Sequence, residues 1–236
     1  MTTLPPYTIR ESTRARHVNL KISMDGGLEV VIPRGFNPKH IPPILQKKQA
    51  WIRRASKRLE ERRKRLEAGP VLPELVSLSA IGEIWQVEYR STPSTRVTVT
   101  EKAGQRLVLS GAVDRVDLCQ SALRKWTTRK AKQHLPPWLR KISEEEKLPF
   151  DKVTIRGQKT RWGSCSTRKT ISLNYKLLFL TPALVRYVLI HELCHTKHLD
   201  HSKRFWALVG EKEPNYKQLK TDLRAAWRHL PGWVQD

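Results

Sequence analysis

The chain is poor in cysteine, in methionine and in acidic residues, and it has no long apolar run. Its three cysteines, Cys119, Cys165 and Cys194, are an odd number without disulfide-like spacing. That argues against a cystine-stapled secreted scaffold and fits a reducing cytoplasm. No stretch of about 18 apolar residues occurs, and Met1 to Arg16 lacks the apolar core of a secretory signal, so neither a membrane span nor export is expected. Internal repeats, low-complexity linkers and recognised nucleic-acid-binding motifs are also missing. Acidic residues number 22 against 45 lysines and arginines, a net charge of +23. Such a field attracts nucleic acid, nucleotides, acidic proteins or anionic membranes, and its sign alone does not choose among them.

What is present is chemically specific. The string His191-Glu192-Leu193-Cys194-His195 sets two imidazoles four residues apart, hence on one face of a helix, with a carboxylate beside the first. Two such nitrogens suit one tetrahedral zinc ion, and a carboxylate next to the metal can take the proton of water that the metal acidifies. Thr181-Pro182 supplies an N-cap residue followed by proline at the first helical position, and Val185, Val188, Leu189 and Ile190 make the approaching turns apolar. A buried helix is therefore expected to carry the motif. His201 lies six residues beyond His195 and completes three protein ligands if the helix ends near Leu199, leaving one coordination position open. His198, Asp200, Glu211 and Glu213 compete for that place. The spacing of His191, His195 and His201 matches the long H-E-x-x-H-x-x-G-x-x-H motif. However, His198 replaces its glycine, and the only methionines, Met1 and Met24, precede the site, so no methionine turn can follow it. Cys194 points away from the shared histidine face, so neither a ligand nor a redox role is expected for it.

Arg161-Trp162-Gly163-Ser164-Cys165-Ser166, Ile171-Ser172-Leu173-Asn174, the metal motif, His201-Ser202 and Phe205-Trp206 together resemble the YgjP-like metallopeptidase family. The likeness is specific over roughly residues 150–210 and weaker around Gly26-Gly27 and Trp51. In the His191-Glu192-Leu193-Cys194-His195 helix and the later His201-x-x-x-Phe205 the chain is also similar to the SprT-like and WLM zinc proteases. The resemblance implies a zincin-like catalytic unit in which His191, His195 and His201 bind Zn2+ and Glu192 is the catalytic acid and base.

The remaining patterns suggest an α+β fold. Residues 7–33 alternate through Val18, Leu20 and Ile22, turn at Asp25-Gly26-Gly27 and continue to Ile32, as in a β-hairpin. Lys47 to Arg65 is densely basic, with Leu45, Ile52, Leu59 and Leu66 recurring every seven residues, which predicts a helix with a narrow apolar stripe, ended by Gly69-Pro70. Strands are expected at 84–89, 96–100 and 106–109. A helix follows from Asp114, broken at Pro136-Pro137 before a second stretch ending near Lys147. Short β-prone runs at 153–155, 161–165 and 170–173 suggest a small antiparallel sheet beside the metal helix. This divides the chain into a mostly β region, 1–112, interrupted by one long basic helix, and a catalytic region, 113–236.

Arg161 to Cys165, as an exposed edge, offers pairing to an extended peptide. Arg161, Trp162 and Tyr216 are the candidate substrate-binding residues, and Arg161, Tyr175, Tyr187 or Tyr216 could stabilise an oxyanion. The expected function is a zinc-dependent hydrolase, foremost a cytoplasmic metallopeptidase acting on peptides or proteins. A metal-dependent nucleotide phosphoanhydride hydrolase is the first alternative. A nucleic-acid-binding protein with a structural zinc, contacting phosphates through its basic surface, is the second. No oligomeric state follows from the residues.

Overall fold

The structure, a computed structural model, describes residues 6–23, 27–67 and 71–234; the side chains of 58 and 61–67 fall outside that description. The chain forms two compact units, Met1–Pro70 and Val71–Asp236. The first holds a three-stranded sheet in which β3 (Leu28–Pro33) lies between β1 (Tyr7–Ser12) and β2 (Asn19–Ile22). β2 pairs antiparallel with β3, as the alternation predicts, whereas β1 pairs parallel along its other edge. The expected hairpin is therefore two strands of three. β3 takes the centre because it is the most apolar, with Leu28, Val30, Val31 and Ile32 all buried, and a central strand has both rows of backbone polar groups satisfied.

α1 (Ile41–Glu67) lays Ile41, Leu45 and Ile52 onto Leu28, Val30 and Ile32. Each such burial contributes roughly 1.5–3 kcal/mol. Prolines 42 and 43 fall in its first turn, where a missing N–H costs nothing. Leu59 is half-buried, and the stop proposed at Gly69-Pro70 lies outside the described residues, as do Asp25 and Gly26 of the β2–β3 turn.

In the second unit, β4 (Leu75–Leu78), β5 (Glu83–Ser91), β6 (Val97–Lys102) and β7 (Arg106–Gly111) form a sheet ordered β4-β5-β7-β6, with β5 and β7 parallel. Its inner face packs on α2 (Val116–Glu145), where Trp85 meets Trp126 edge-on at 5.5 Å. This sheet shares one core with the helices that follow, including α3 (Pro182–Cys194). β7 and α2, on either side of residue 112, are thus two halves of one hydrophobic contact within the second compact unit.

Pro136 and Pro137 do not break α2, which runs through both. Leu135, Leu139 and Ile142 are buried on its inner face while Pro137 is exposed. Burial on the inner side outweighs the hydrogen bonds lost on the outer one.

A second sheet follows, ordered β8 (Lys152–Arg156), β10 (Thr170–Asn174), β9 (Gly163–Cys165). It is mixed rather than antiparallel, since β8 runs parallel to β10. A tight turn at 166–169 makes β9–β10 a hairpin, but the longer 157–162 segment carries the chain from β8 across to the opposite edge. α3 is buried on nearly every side, and α4 (Lys203–Lys212) and α5 (Tyr216–Ala226) complete the unit. No helix among the described residues is long and apolar enough to cross a membrane.

Candidate metal centre

The site is assembled from the end of α3, the turn after it, and β9. His191 occupies the last turn of α3 and His195 caps it, its N–H donating to the His191 carbonyl at 3.4 Å. The helix stops at Cys194, earlier than Leu199. Backbone bonds from Thr196, Lys197 and His198 to Leu193 and Cys194 then tighten the chain. That early stop lets residues 199–202 double back, bringing His201 Nε2 to 3.3 Å from His191 Nε2. The three histidines each offer a ring nitrogen, all within 4.8 Å of one another. Two nitrogens bound at 2.0–2.1 Å to a tetrahedral ion stand about 3.4 Å apart, so the donor set fits zinc in spacing as well as in kind.

Packing fixes the rings. Ser202 caps α4 by accepting from the Phe205 N–H, and Phe205 is fully buried among the imidazoles. Its ring stacks on His195 at 4.4 Å and meets His191 and His201 edge-on at 5.0 and 4.9 Å. Trp206 stacks on His201 at 5.6 Å. His195 Nδ1 lies 2.9 Å from the His198 carbonyl oxygen; donating there leaves Nε2 free for a metal. Burial, helped by the neighbouring imidazoles and Lys220, pushes the His191 pKa down to about 3, which keeps the ring neutral as a ligand must be.

Glu192 points from α3 toward β9 and is buried. Desolvation pushes its pKa up to about 8 against the opposing charge of Arg161, and Oε2 finds no hydrogen-bond partner among the described residues. Gly163 makes this possible: a β-carbon there would stand 2.7 Å from Glu192 Cγ and Oε1. An unpartnered carboxylate oxygen in such a place suits a polar ligand or a transferred proton.

The other carboxylates and His198 do not join the cluster. Asp200 accepts from the Ser202 N–H, Glu211 pairs with Lys212 at 3.1 Å, and Glu213 lies 3.9 Å from Arg186. Burial raises the Cys194 thiol to about 12 and the Cys165 thiol to about 11, so neither is a thiolate at neutral pH.

His191, Glu192 and His201 open onto a cleft of about 420 Å³ whose walls include Arg161, Trp162, Gly163, Tyr187 and Trp227. Trp162 serves two roles, as wall and as core, for it is 7% exposed and stacks on Trp227 at 4.1 Å. β9 is an edge strand, paired only with β10. Buried Asn174 donates to the carbonyls of Gln158 and Arg161, each at 2.8 Å, and so holds the segment leading into β9. Tyr216 is not in this cleft; it stacks on Trp206 in an adjoining groove. Tyr175 lies elsewhere, against Gly157. Phe205 packs as its place on an apolar helix face after Ser202 suggests, whereas the roles of Gly163 and Lys220 arise from contacts between distant segments and leave no mark in the sequence.

A triad of converging imidazoles with a buried carboxyl group beside it, open to a cleft, is the apparatus of a metal-dependent hydrolase. The chain belongs to the YgjP-like metallopeptidase family, whose domain matches residues 16–226. Over 40 residues it is 42% identical to the UTP pyrophosphatase of Escherichia coli (strain K12), covering 17% of this chain and 24% of that protein, so it spans about a quarter of that relative's length. It is also similar to the solved metallopeptidase zymogen of Pyrococcus abyssi abylysin, with 27% identity, 38% of this chain and 91% of that chain covered, and a TM-score of 0.35.

Proposed function

We propose that the protein is a zinc-dependent peptidase in which His191, His195 and His201 hold the ion and Glu192 moves the proton. The carrying observation is the convergence of the three imidazole nitrogens within 4.8 Å beside the buried, unpartnered Glu192 carboxylate. Bound there, zinc would supply Lewis acidity, polarising a carbonyl and lowering the pKa of water to roughly 7. Burial alone keeps Glu192 largely protonated near neutral pH; a cation held by the adjacent histidines would favour its ionised form, whose Oε2 would accept a proton from the attacking water and return it to the departing amine. An extended substrate chain can add to the free edge of β9, which aligns its backbone across the cleft. Arg161, from the cleft wall, is the donor best placed to meet charge developing on the carbonyl oxygen. Trp162 shapes the wall, and Tyr216 acts through Trp206, whose ring it supports.

A second reading, hydrolysis of a nucleotide phosphoanhydride, is favoured by the cations Arg161, Lys220 and Arg224 in the cleft lining and by the activity for which the Escherichia coli relative is named. One experiment addresses both. Wild type, Glu192→Gln and His201→Ala are purified without added metal, analysed for zinc, and assayed on unfolded protein and on nucleoside triphosphates. The expected result is about one zinc per chain in wild type and Glu192→Gln, loss in His201→Ala, and protein cleavage by wild type alone. Turnover restricted to triphosphates selects the second reading, and zinc retained by His201→Ala removes His201 from the ligand set.

A further inference from the structure

Beside the metal cleft runs a groove of about 730 Å³ over α4 and α5, lined by Lys203, Trp206, Tyr216, Lys217, Lys220 and Arg224. The two spaces share His201, Trp206, Lys220 and Arg224, so a chain leaving the metal centre on the His201 side enters the groove. We propose that this groove is a subsite for acidic side chains of an extended polypeptide, so that the enzyme selects bonds flanked on one side by aspartate or glutamate. The proposal rests on the peptidase reading and names its substrate class.

The charge distribution carries the argument. Elsewhere in this unit several acids are spent locally: Glu83 on Lys130, Glu101 on Arg129, Glu145 and Glu146 on Arg186, Glu146 and Glu211 on Lys212, while Asp222 on α5 accepts from Gln218. Among the described residues no carboxylate lies within ion-pair distance of Lys203, Lys217, Lys220 or Arg224, and the groove lining contains no acidic residue. Four cations of one sign thus line a concave surface next to the reactive centre, where they repel one another and attract an anionic chain.

Lys220 is also held in place. Its Nζ lies 3.7 Å from the centroid of the Trp206 ring, which also stacks on Tyr216 and on His201, each at 5.6 Å between centroids. The ammonium is half-buried and fixed on an aromatic platform, so less ordering remains to be done when an anion arrives.

Spacing favours a polypeptide over a compact phosphate group. Lys217, Lys220 and Arg224 follow one face of α5 over two turns, roughly 10 Å. Same-side residues of an extended chain repeat about every 6.6 Å, near the step from one of these cations to the next. A triphosphate concentrates its charge at one end and meets only part of this row.

The test measures binding, using full-length zinc-loaded Glu192→Gln so that no peptide is cut. Two fluorescent decapeptides, alternating glutamate with alanine or glutamine with alanine, are titrated by anisotropy at low and high salt. The acidic peptide should bind at least about tenfold tighter at low salt, several screened pairs each contributing a few-fold. Adding the exposed-site substitutions Lys203→Gln and Lys217→Gln should remove most of that preference, while Lys125→Gln with Lys132→Gln on α2 should leave it intact. Equal affinities, or a preference lost only in the α2 variant, overturn the proposal. Acidic preference without turnover of unfolded protein by wild type leaves the subsite standing and removes the peptidase reading; turnover without preference does the reverse.

Discussion

Gly163 and Glu192, 29 positions apart, are in contact so close that a β-carbon at 163 would stand 2.7 Å from the carboxylate's Oε1. The edge strand therefore sets the position of the proposed base. Gly163→Ala should fold, because the obstructed atoms are the movable end of a side chain, and should keep its zinc. A displacement near 1 Å at a reacting group costs on the order of 100-fold, so kcat should fall by about that much. Thermal melts, zinc analysis and steady-state kinetics on one preparation check this; unchanged kcat would show that Glu192 does not need its present place.

Phe205 touches all three imidazoles, and its loss should appear in metal affinity as well as stability. Phe205→Ala is expected to cost about 3–5 kcal/mol and to weaken zinc binding roughly 10–100-fold. Chelator competition reads the second effect independently of the melt. Phe205→Leu, which keeps most of the buried volume, should recover more stability than metal affinity.

Glu83 links stability to pH. Burial tends to raise its pKa, but the hydrogen bonds from Lys130 and Trp85 and the charges of Lys130 and His134 together hold it below the ordinary value of 4.5. A depressed carboxylate pKa contributes stability that is complete well above 4.5 and is lost as pH falls through the folded value. Glu83→Gln should thus cost about 1–2 kcal/mol at pH 7, allowing for partial solvent screening, and the gap to wild type should close as pH drops below 4.5. A gap that persists at low pH would assign the effect to packing.

Pro137 sits exposed inside a continuous α2. Pro137→Ala should restore a helical N–H and stabilise the protein by about 1–2 kcal/mol, the helix gain being partly offset by a freer unfolded chain. A lower Tm would mean that the helix depends on the proline ring.

The parts of the site that are local in sequence were legible in it. His191 and His195 share a face because a helix repeats every 3.6 residues, and Thr181-Pro182 with the apolar turns after it marks where that helix starts and that it is buried. Strand and helix positions in the second unit followed from the same periodicities. Where a neighbour elsewhere in the chain decides, the reading ran out. Nothing in residues 7–12 says that β1 pairs parallel with β3, and nothing in 136–137 says that a core contact on the opposite face carries α2 through two prolines.

The residues alone pointed to the type of chemistry proposed, because two histidine nitrogens at i, i+4 with a carboxyl beside the first suit a metal ion and a proton acceptor, and that spacing leaves little freedom. Tertiary structure decided which further histidine joins His191 and His195, by ending α3 at Cys194 and packing the returning turn against Phe205. It also decided where the base points, through Gly163, and which of 45 basic residues gather beside the cleft. Those outcomes depend on packing between segments far apart in the chain, and excluded volume and burial act only once the segments have met.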